Sequence, residues 1–293
     1  MKTALRDTIC PNCKHKLEVS PVSFTCPGCQ KTYNVVNGIP ILLKDRHLAV
    51  QETDGLEAES GLRKWLRRLF EVRPDPHYST ATKTNVRYLI TLLDPEARLL
   101  FVGGGISSHG KHMYELGETL LNNCINLEIA GGPIVDLVAD GHDIPFPDNY
   151  FDGIICQAVL EHTRDSNRVV AELHRVLRPD GIIYAEIPFL YPVHMKSDFR
   201  RFTLMGVREL FGAFDTIRSG VNGGVASSFT VISVHFFAIL FSFGYSPLYQ
   251  TGRFVFGWLF APIKYLDLIF CQFSTAPICT SATYFMGRKR AKA

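Results

Sequence analysis

Residues 139–162 read ADGHDIPFPDNYFDGIICQAVLEH: an acidic turn leaving one apolar run, a proline-bracketed loop, and a second apolar run that ends on Gln157-Ala158. Short apolar runs separated by turns and helical patterns are how a parallel sheet covered by helices is written. The same alternation continues outward in both directions. Arg98–Val102, Ile125–Ile129, Val135–Ala139, Gly153–Gln157 and Gly181–Ile187 read as five strands, with helical period at Lys111–Asn122 and Asp165–Leu177. The expected fold class is therefore α/β, Rossmann-like and doubly wound. Phe214–Val221 reads as a sixth strand and Thr283–Arg288 as an antiparallel seventh. About sixty residues separate those two, far beyond an ordinary loop. Phe229–Tyr245 and Phe254–Phe270 within them are apolar and aromatic-rich, so an apolar insertion is expected at about 222–280.

In such sheets ligands sit at the carboxyl ends of the strands, so the residues closing each strand are the ones to read. Gly103-Gly104-Gly105 closes the first strand, and glycines there let the backbone turn sharply and approach a ligand. Glu128 closes the second, where ribose hydroxyls take a bidentate acceptor. Asp140-Gly141-His142 follows the third, and Gln157-Ala158 ends the fourth. Glu161 and His162 come next and open the following helix, either as catalytic groups or as helix entry and loop bracing, since an acid in the first turn favours a helix N-terminus.

Of 293 residues, 46% are apolar and 20% charged, enough for one sizeable core plus a small module. The formal net charge of +3 does not mark a nucleic-acid partner, which calls for a strong, clustered basic excess. Eight cysteines follow an N-terminus without the apolar run of a signal peptide, which points to a reducing cytoplasm and to metal binding. Cys10-Pro-Asn-Cys13 and Cys26-Pro-Gly-Cys29 repeat one knuckle, and four thiolates at this spacing make a closed tetrahedral zinc site. So small a module draws most of its folding free energy from the metal, which leaves it as scaffold or docking surface.

The stretch 139–162, followed by AELHRVLRPDG and a strand, resembles the class I S-adenosylmethionine-dependent methyltransferases of the small-molecule kind, across Leu99–Ile187. The resemblance implies a seven-stranded sheet in which Gly103, Gly104, Gly105 and Ser107 hold the methionine moiety of S-adenosylmethionine. It further implies that Glu128 binds the ribose and Asp140, flanked by Gly141 and His142, the adenine, while Gln157 and Ala158 face the sulfonium. Two positions depart from the family: Phe101 stands where an acid is usual, and Ser107 where the last glycine of the turn is usual. The run from Ile9 to Leu43 resembles the zinc-ribbon family that includes small activator subunits of methyltransferases, which implies a partner domain that methylates something and allows a protein partner for the ribbon.

The expected organisation is a ribbon at 1–45, a linker and basic amphipathic helix at 46–76, and a methyltransferase domain at 77–293. In the linker region Leu62, Trp65, Leu66, Leu69 and Phe70 share one helical face and Arg63, Lys64, Arg67 and Arg68 the other. Such a helix packs on a domain or lies in a membrane interface. No run reaches the ~18 apolar residues of a spanning helix. Past the fifth strand, His194 is the candidate base for an acceptor hydroxyl, with Asp198 orienting it or serving instead. Arg200 and Arg201 either clamp an anionic group or pair with Asp198. The expected activity is O-methylation of a glycan or alcohol, small or lipid-linked, by a cytoplasmic protein in peripheral contact with the inner membrane face. Methylation of a lipid quinone, and a non-catalytic module with a degenerate cofactor site, stand as alternatives.

Overall fold

A computed structural model describes residues 2–44, 75, 79, 81–103 and 117–291. The linker and amphipathic helix expected at 46–76 lie outside these residues but for Asp75, as do Gly104, Gly105 and Ser107.

Seven strands form the expected sheet: β5 (Leu99–Val102), β6 (Cys124–Glu128), β7 (Leu137–Ala139), β8 (Phe151–Gln157), β9 (Leu177–Pro188), β10 (Phe214–Gly223) and β11 (Ala282–Lys289). Four short strands of the N-terminal module, β1 (Glu18–Val19), β2 (Ser23–Thr25), β3 (Thr32–Val36) and β4 (Ile39–Leu42), continue it. The order is β1-β2-β3-β4-β7-β6-β5-β8-β9-β11-β10, with β11 antiparallel to both neighbours. Every residue of β5, β6, β7 and β8 is buried, as befits parallel strands covered on both faces. β9 begins four residues ahead of the expected Gly181, because the helix before it ends at Val176 and the chain passes straight into strand.

Helix α1 (Thr82–Thr91) packs on one face of the sheet, where Val86 and Leu89 meet Phe101, Tyr184 and Met286. Phe101 is wholly buried there, so the place usually held by an acid serves the core. α2 (Gly117–Asn122) is the described part of the helix expected from Lys111. On the opposite face α3 (Ser166–Val176), capped by Asp165 accepting from the Arg168 amide at 3.1 Å, and α4 (Leu204–Leu210) share a core with the N-terminal module.

The module joins the domain through β4, which runs parallel to β7 with Ile41 opposite Val138 and Leu42 opposite Ala139. Lys2 Nζ adds a 2.8 Å bond to Asp136, the Tyr150 hydroxyl donates to Asp7 at 3.0 Å, and the Ile9 amide donates to the Pro145 carbonyl at 3.0 Å. Phe24, Tyr33 and Leu42 lie in one apolar cluster with Ile125, Phe146 and Phe151, so no solvent layer separates ribbon from domain.

The insertion is helical. α5 (Val225–Leu240) and α6 (Ser246–Phe260) form a hairpin closed by Phe243 and Gly244, both with positive φ, and followed by a 3-10 segment and α7 (Asp267–Phe270). Asp267, fully buried, accepts from the Gly224, Ala226 and Ser227 amides at 2.9–3.0 Å. A carboxylate from elsewhere in the chain thus caps α5, matching the positive end of its dipole. No helix among the described residues is long and apolar enough to cross a membrane.

Candidate functional site

Gly103 ends β5 with φ +89°, a conformation natural to glycine. A Cβ there would lie 2.1 Å from Val159 Cγ2 and 2.6 Å from the Gln157 carbonyl oxygen, so backbone meets backbone at this point. Beyond it opens a cavity of about 570 Å³ walled by Gly103, Glu128, Asp140, Gly141 and His142, within the size range of small-molecule sites. Lys44 of the ribbon, Val159 and His162 also reach it. Asp140 Oδ1 accepts from the His142 amide at 2.9 Å and from its ring Nδ1 at 2.6 Å. Burial works to raise its carboxyl, but those two bonds win and hold it below the usual range. Asp143, next along, sits between Lys44 Nζ at 2.6 Å and Arg168 at 2.7 Å.

These residues fit S-adenosylmethionine: a glycine where only backbone has room, a buried acid at the end of β6, and a second acid beyond β7. When bound, that cofactor supplies an electrophilic methyl group on a sulfonium.

A second cavity, about 180 Å³, lies beside the first and is bounded by Ala158, Glu161, Glu186, Tyr191, His194 and Asn222. Ala158 has φ +51°, a left-handed turn unusual for a residue with a Cβ, and its amide donates to the Glu186 carbonyl. The Gln157 side chain turns the other way and donates to Glu186 Oε2 at 2.8 Å, so of this pair it is Ala158 that faces the cavity. Thr82 and Tyr184 hydroxyls donate to the other oxygen of Glu186, and Asn222 binds the Ala81 and Thr82 amides, fixing the start of α1 beside the cavity.

Glu161 and His162 are the pair for which sequence leaves a catalytic role and a helix entry both open, and the helix entry is not what forms. Leu160–His162 is a 3-10 turn and not the first turn of α3, which starts at Ser166. The Glu161 backbone carbonyl braces the Phe199 and Arg200 amides, while its side chain is fully buried with neither carboxylate oxygen hydrogen-bonded. Burial pushes its carboxyl up to about 8.

His162 and His194 stand beside it with ring centroids 4.9 Å apart. His162 Nδ1 lies 2.5 Å from the Ser197 carbonyl, which only accepts, so the proton is on Nδ1 and Nε2 carries the lone pair. Burial keeps this imidazole below its ordinary pKa, and hence neutral near pH 7. His194 Nδ1 faces the Pro192 carbonyl at 3.3 Å and Asp198 Oδ2 at 3.2 Å, which assigns the same tautomer. Asp198 is in turn gripped by Arg201 through both oxygens, and despite partial burial that pairing holds its carboxyl low. Arg200 instead caps the Thr163 and Arg164 carbonyls. Both arginines therefore hold the loop together.

An open apolar groove of about 400 Å³ continues from Tyr191, between Phe189–Pro192 and the α5 residues Ile232, His235, Phe236 and Ile239. At the other end of the molecule Cys10, Cys13, Cys26 and Cys29 bring their sulfurs within 4.8 Å of one another. The Cys10–Cys29 and Cys13–Cys26 separations are 3.7 and 3.3 Å, close to the edge of about 3.8 Å of a tetrahedron with ~2.3 Å metal–sulfur bonds. The Tyr33 hydroxyl lies 3.2 Å from Cys10 Sγ.

Residues 107–185 match the family model described as a methyltransferase domain. The ubiquinone/menaquinone biosynthesis C-methyltransferase of Francisella tularensis is 31% identical over 109 residues, 34% of this chain and 41% of that protein. The glycine/sarcosine/dimethylglycine N-methyltransferase of Actinopolyspora halophila is 30% identical over 125 residues, 38% and 22% of the two chains. A mitochondrial arginine hydroxylase of Rattus norvegicus is 35% identical over 68 residues, 23% and 19% of the two chains. The chain thus spans well under half the length of these curated relatives. Among solved structures, a 1,6-didemethyltoxoflavin N1-methyltransferase of Burkholderia thailandensis aligns with TM-score 0.45 at 13% identity, covering 90% of this chain and 97% of that one. The complex of a methyltransferase activator with a putative methyltransferase from Haloferax volcanii aligns with TM-score 0.43 at 13% identity, covering 71% and 89%. Residues 107–185 are thus similar to a methyltransferase domain, and the strand order and the Gly103 turn give the chain a Rossmann-like α/β fold.

Proposed function

We propose that this chain transfers the methyl group of S-adenosylmethionine to an oxygen of a small or lipid-linked acceptor held against Ala158. The observation that supports it most is the cavity at the end of β8, where a buried carboxylate without a hydrogen bond and an imidazole share a wall. Methyl transfer is an in-line displacement: the acceptor oxygen's lone pair forms the new C–O bond as the S–C bond breaks, and the sulfonium becomes a thioether. Positioning serves any acceptor, and a hydroxyl must also lose its proton. That proton leaves at the Glu161–His162–His194 cluster, with Asp198 and Arg201 holding His194 in place. The apolar groove beyond Tyr191 suits a hydrocarbon tail. It suits a quinone chain equally, and the Francisella relative is named for that chemistry.

The test is calorimetric titration of the full chain with S-adenosylmethionine, followed by transfer of labelled methyl into organic and aqueous cell extracts. Saturable binding with label in a base-stable ether supports the oxygen acceptor. Label on a ring carbon supports the quinone reading, and absent binding leaves a non-catalytic module.

In the same reading the four thiolates hold one structural zinc, and the ribbon's protein partner is the domain it is already docked on. The exposed Phe236, Ile239, Phe243, Trp258 and Leu259 of the α5–α6 hairpin form a face suited to the lipid surface from which a lipid-linked acceptor is drawn. On this reading the protein is cytoplasmic and rests on the inner membrane face.

A further inference from the structure

The three groups at the acceptor cavity have a chemistry that proton transfer alone does not use up. Glu161 offers a carboxylate with no hydrogen-bond donor, inside the protein, where an unpaired anion is costly. Buried anions are normally paired or coordinate a metal. Two imidazoles flank it, and each has its Nδ1 proton committed to a fixed acceptor, the Ser197 carbonyl for His162 and the Pro192 carbonyl with Asp198 for His194. Each therefore presents an Nε2 lone pair. An outer acceptor that fixes the tautomer and aims the ring is the usual support of a metal-ligating histidine.

Glu161, His162 and His194 bring one ligand atom each within 4.8 Å of one another, and the Glu161 Oε1 to His162 Nε2 separation is 3.7 Å. Ligands about 2.1 Å from a common ion stand roughly 3.0–3.5 Å apart at octahedral to tetrahedral angles. Closing the remaining gap takes a small shift of His194 together with its Asp198 partner, and the His194 side chain is 36% exposed.

We propose that Glu161, His162 and His194 bind one divalent transition-metal cation at the boundary between the two cavities. Two imidazoles and one carboxylate on one side of an ion leave its other positions open, an arrangement that suits iron, manganese, cobalt, nickel or zinc. Those positions face the cavity that holds Ala158, so the ligand they take is an acceptor with two neighbouring oxygens, such as a vicinal diol or a hydroxy acid. This role rests on the acceptor reading and replaces proton acceptance by the cluster's own lone pairs, which the cation would occupy; the binding itself does not rest on it.

The experiment uses the full chain with its ribbon thiolates first saturated with zinc. Cobalt(II) is then added and followed by its d–d absorption and by calorimetry. The expected result is one cobalt per chain, with no thiolate-to-cobalt charge-transfer band. Glu161→Gln and His194→Ala should each weaken cobalt about tenfold or more, and Asp198→Asn somewhat less, all with zinc content and S-adenosylmethionine affinity unchanged. Cobalt taken up only with a thiolate band, no uptake at all, or uptake undiminished in both Glu161→Gln and His194→Ala overturns the proposal. Cofactor binding without cobalt binding sinks the cation site alone. Cobalt binding without cofactor binding sinks the methyl-transfer reading and keeps the site.

Discussion

Lys44 Nζ lies 2.6 Å from Asp143 Oδ1, so a residue just beyond β4 grips the loop that walls the proposed cofactor cavity. Asp143 is mostly buried and Lys44 about one-third exposed, so solvent screens part of the attraction. Lys44→Met is expected to raise the dissociation constant for S-adenosylmethionine about two- to fivefold, the range of a partly exposed pair worth ~0.4–1 kcal/mol. Calorimetric titration reads this, and an unchanged constant would show that the ribbon is thermodynamically silent at the cofactor.

Gly103→Ala places a methyl where Val159 and the Gln157 carbonyl already stand, in a backbone conformation alanine resists. Cofactor binding should fall below detection while the far-ultraviolet spectrum keeps its native form. Retained binding would remove Gly103 from the cofactor site.

Asp140→Ala deletes the acceptor of two His142 bonds as well as the acid facing the cavity. We expect a loss of about 1–3 kcal/mol in S-adenosylmethionine binding. Affinity equal to the parent would mean that the adenine is held elsewhere.

The succession of strands from β5 to β9 is legible in the amino-acid sequence, because these are short apolar runs closed by turn residues and each begins or ends within a few residues of its expected place. What is not legible has a common physical cause. The pairing of β4 with β7 joins residues about a hundred positions apart and leaves no local pattern in Ile39-Pro40-Ile41-Leu42. Glu161 reads from sequence as either a catalytic group or a helix entry, because glutamate is seldom wholly buried and only tertiary packing shows that this one is. Apolar periodicity marks the insertion, yet it does not reveal that Asp267 reaches back to cap α5.

That cap carries its own expectation. Asp267→Ala leaves three buried amides without an acceptor, and should cost about 2–3 kcal/mol. A thermal midpoint lowered by about 5–10 °C, with zinc content unchanged, is the expected reading. A midpoint within a degree of the parent would show that water replaces the carboxylate.

Purified protein should carry one zinc per chain, and Cys13→Ser with Cys29→Ser should abolish it. Because β4 belongs to the same sheet as the cofactor cavity, the doubly substituted chain should also lose S-adenosylmethionine affinity. Cofactor affinity that survives loss of the metal would separate the two.

The full chain should sediment with anionic vesicles through the exposed hairpin, and less so as salt rises and screens any basic contribution. Replacing Phe236, Phe243 and Trp258 with serine should reduce that binding while sparing zinc. Absence of sedimentation at low salt would leave the hairpin as a wall of the acceptor groove only.

The β4–β7 ladder also imposes a schedule on the ribosome. Leu42 is made about a hundred residues before its partner Ala139, a wait of roughly 5–20 s at ordinary elongation rates. Through that interval β4 presents an unpaired strand edge, the kind of surface on which nascent chains stick to one another. The four cysteines precede the rest of the sheet, so a captured metal would organise β1 to β4 before β5 to β11 have been made. A cell short of zinc would then accumulate aggregates of this protein before it showed any lack of cofactor, and the shortage would act at synthesis, sparing copies already folded.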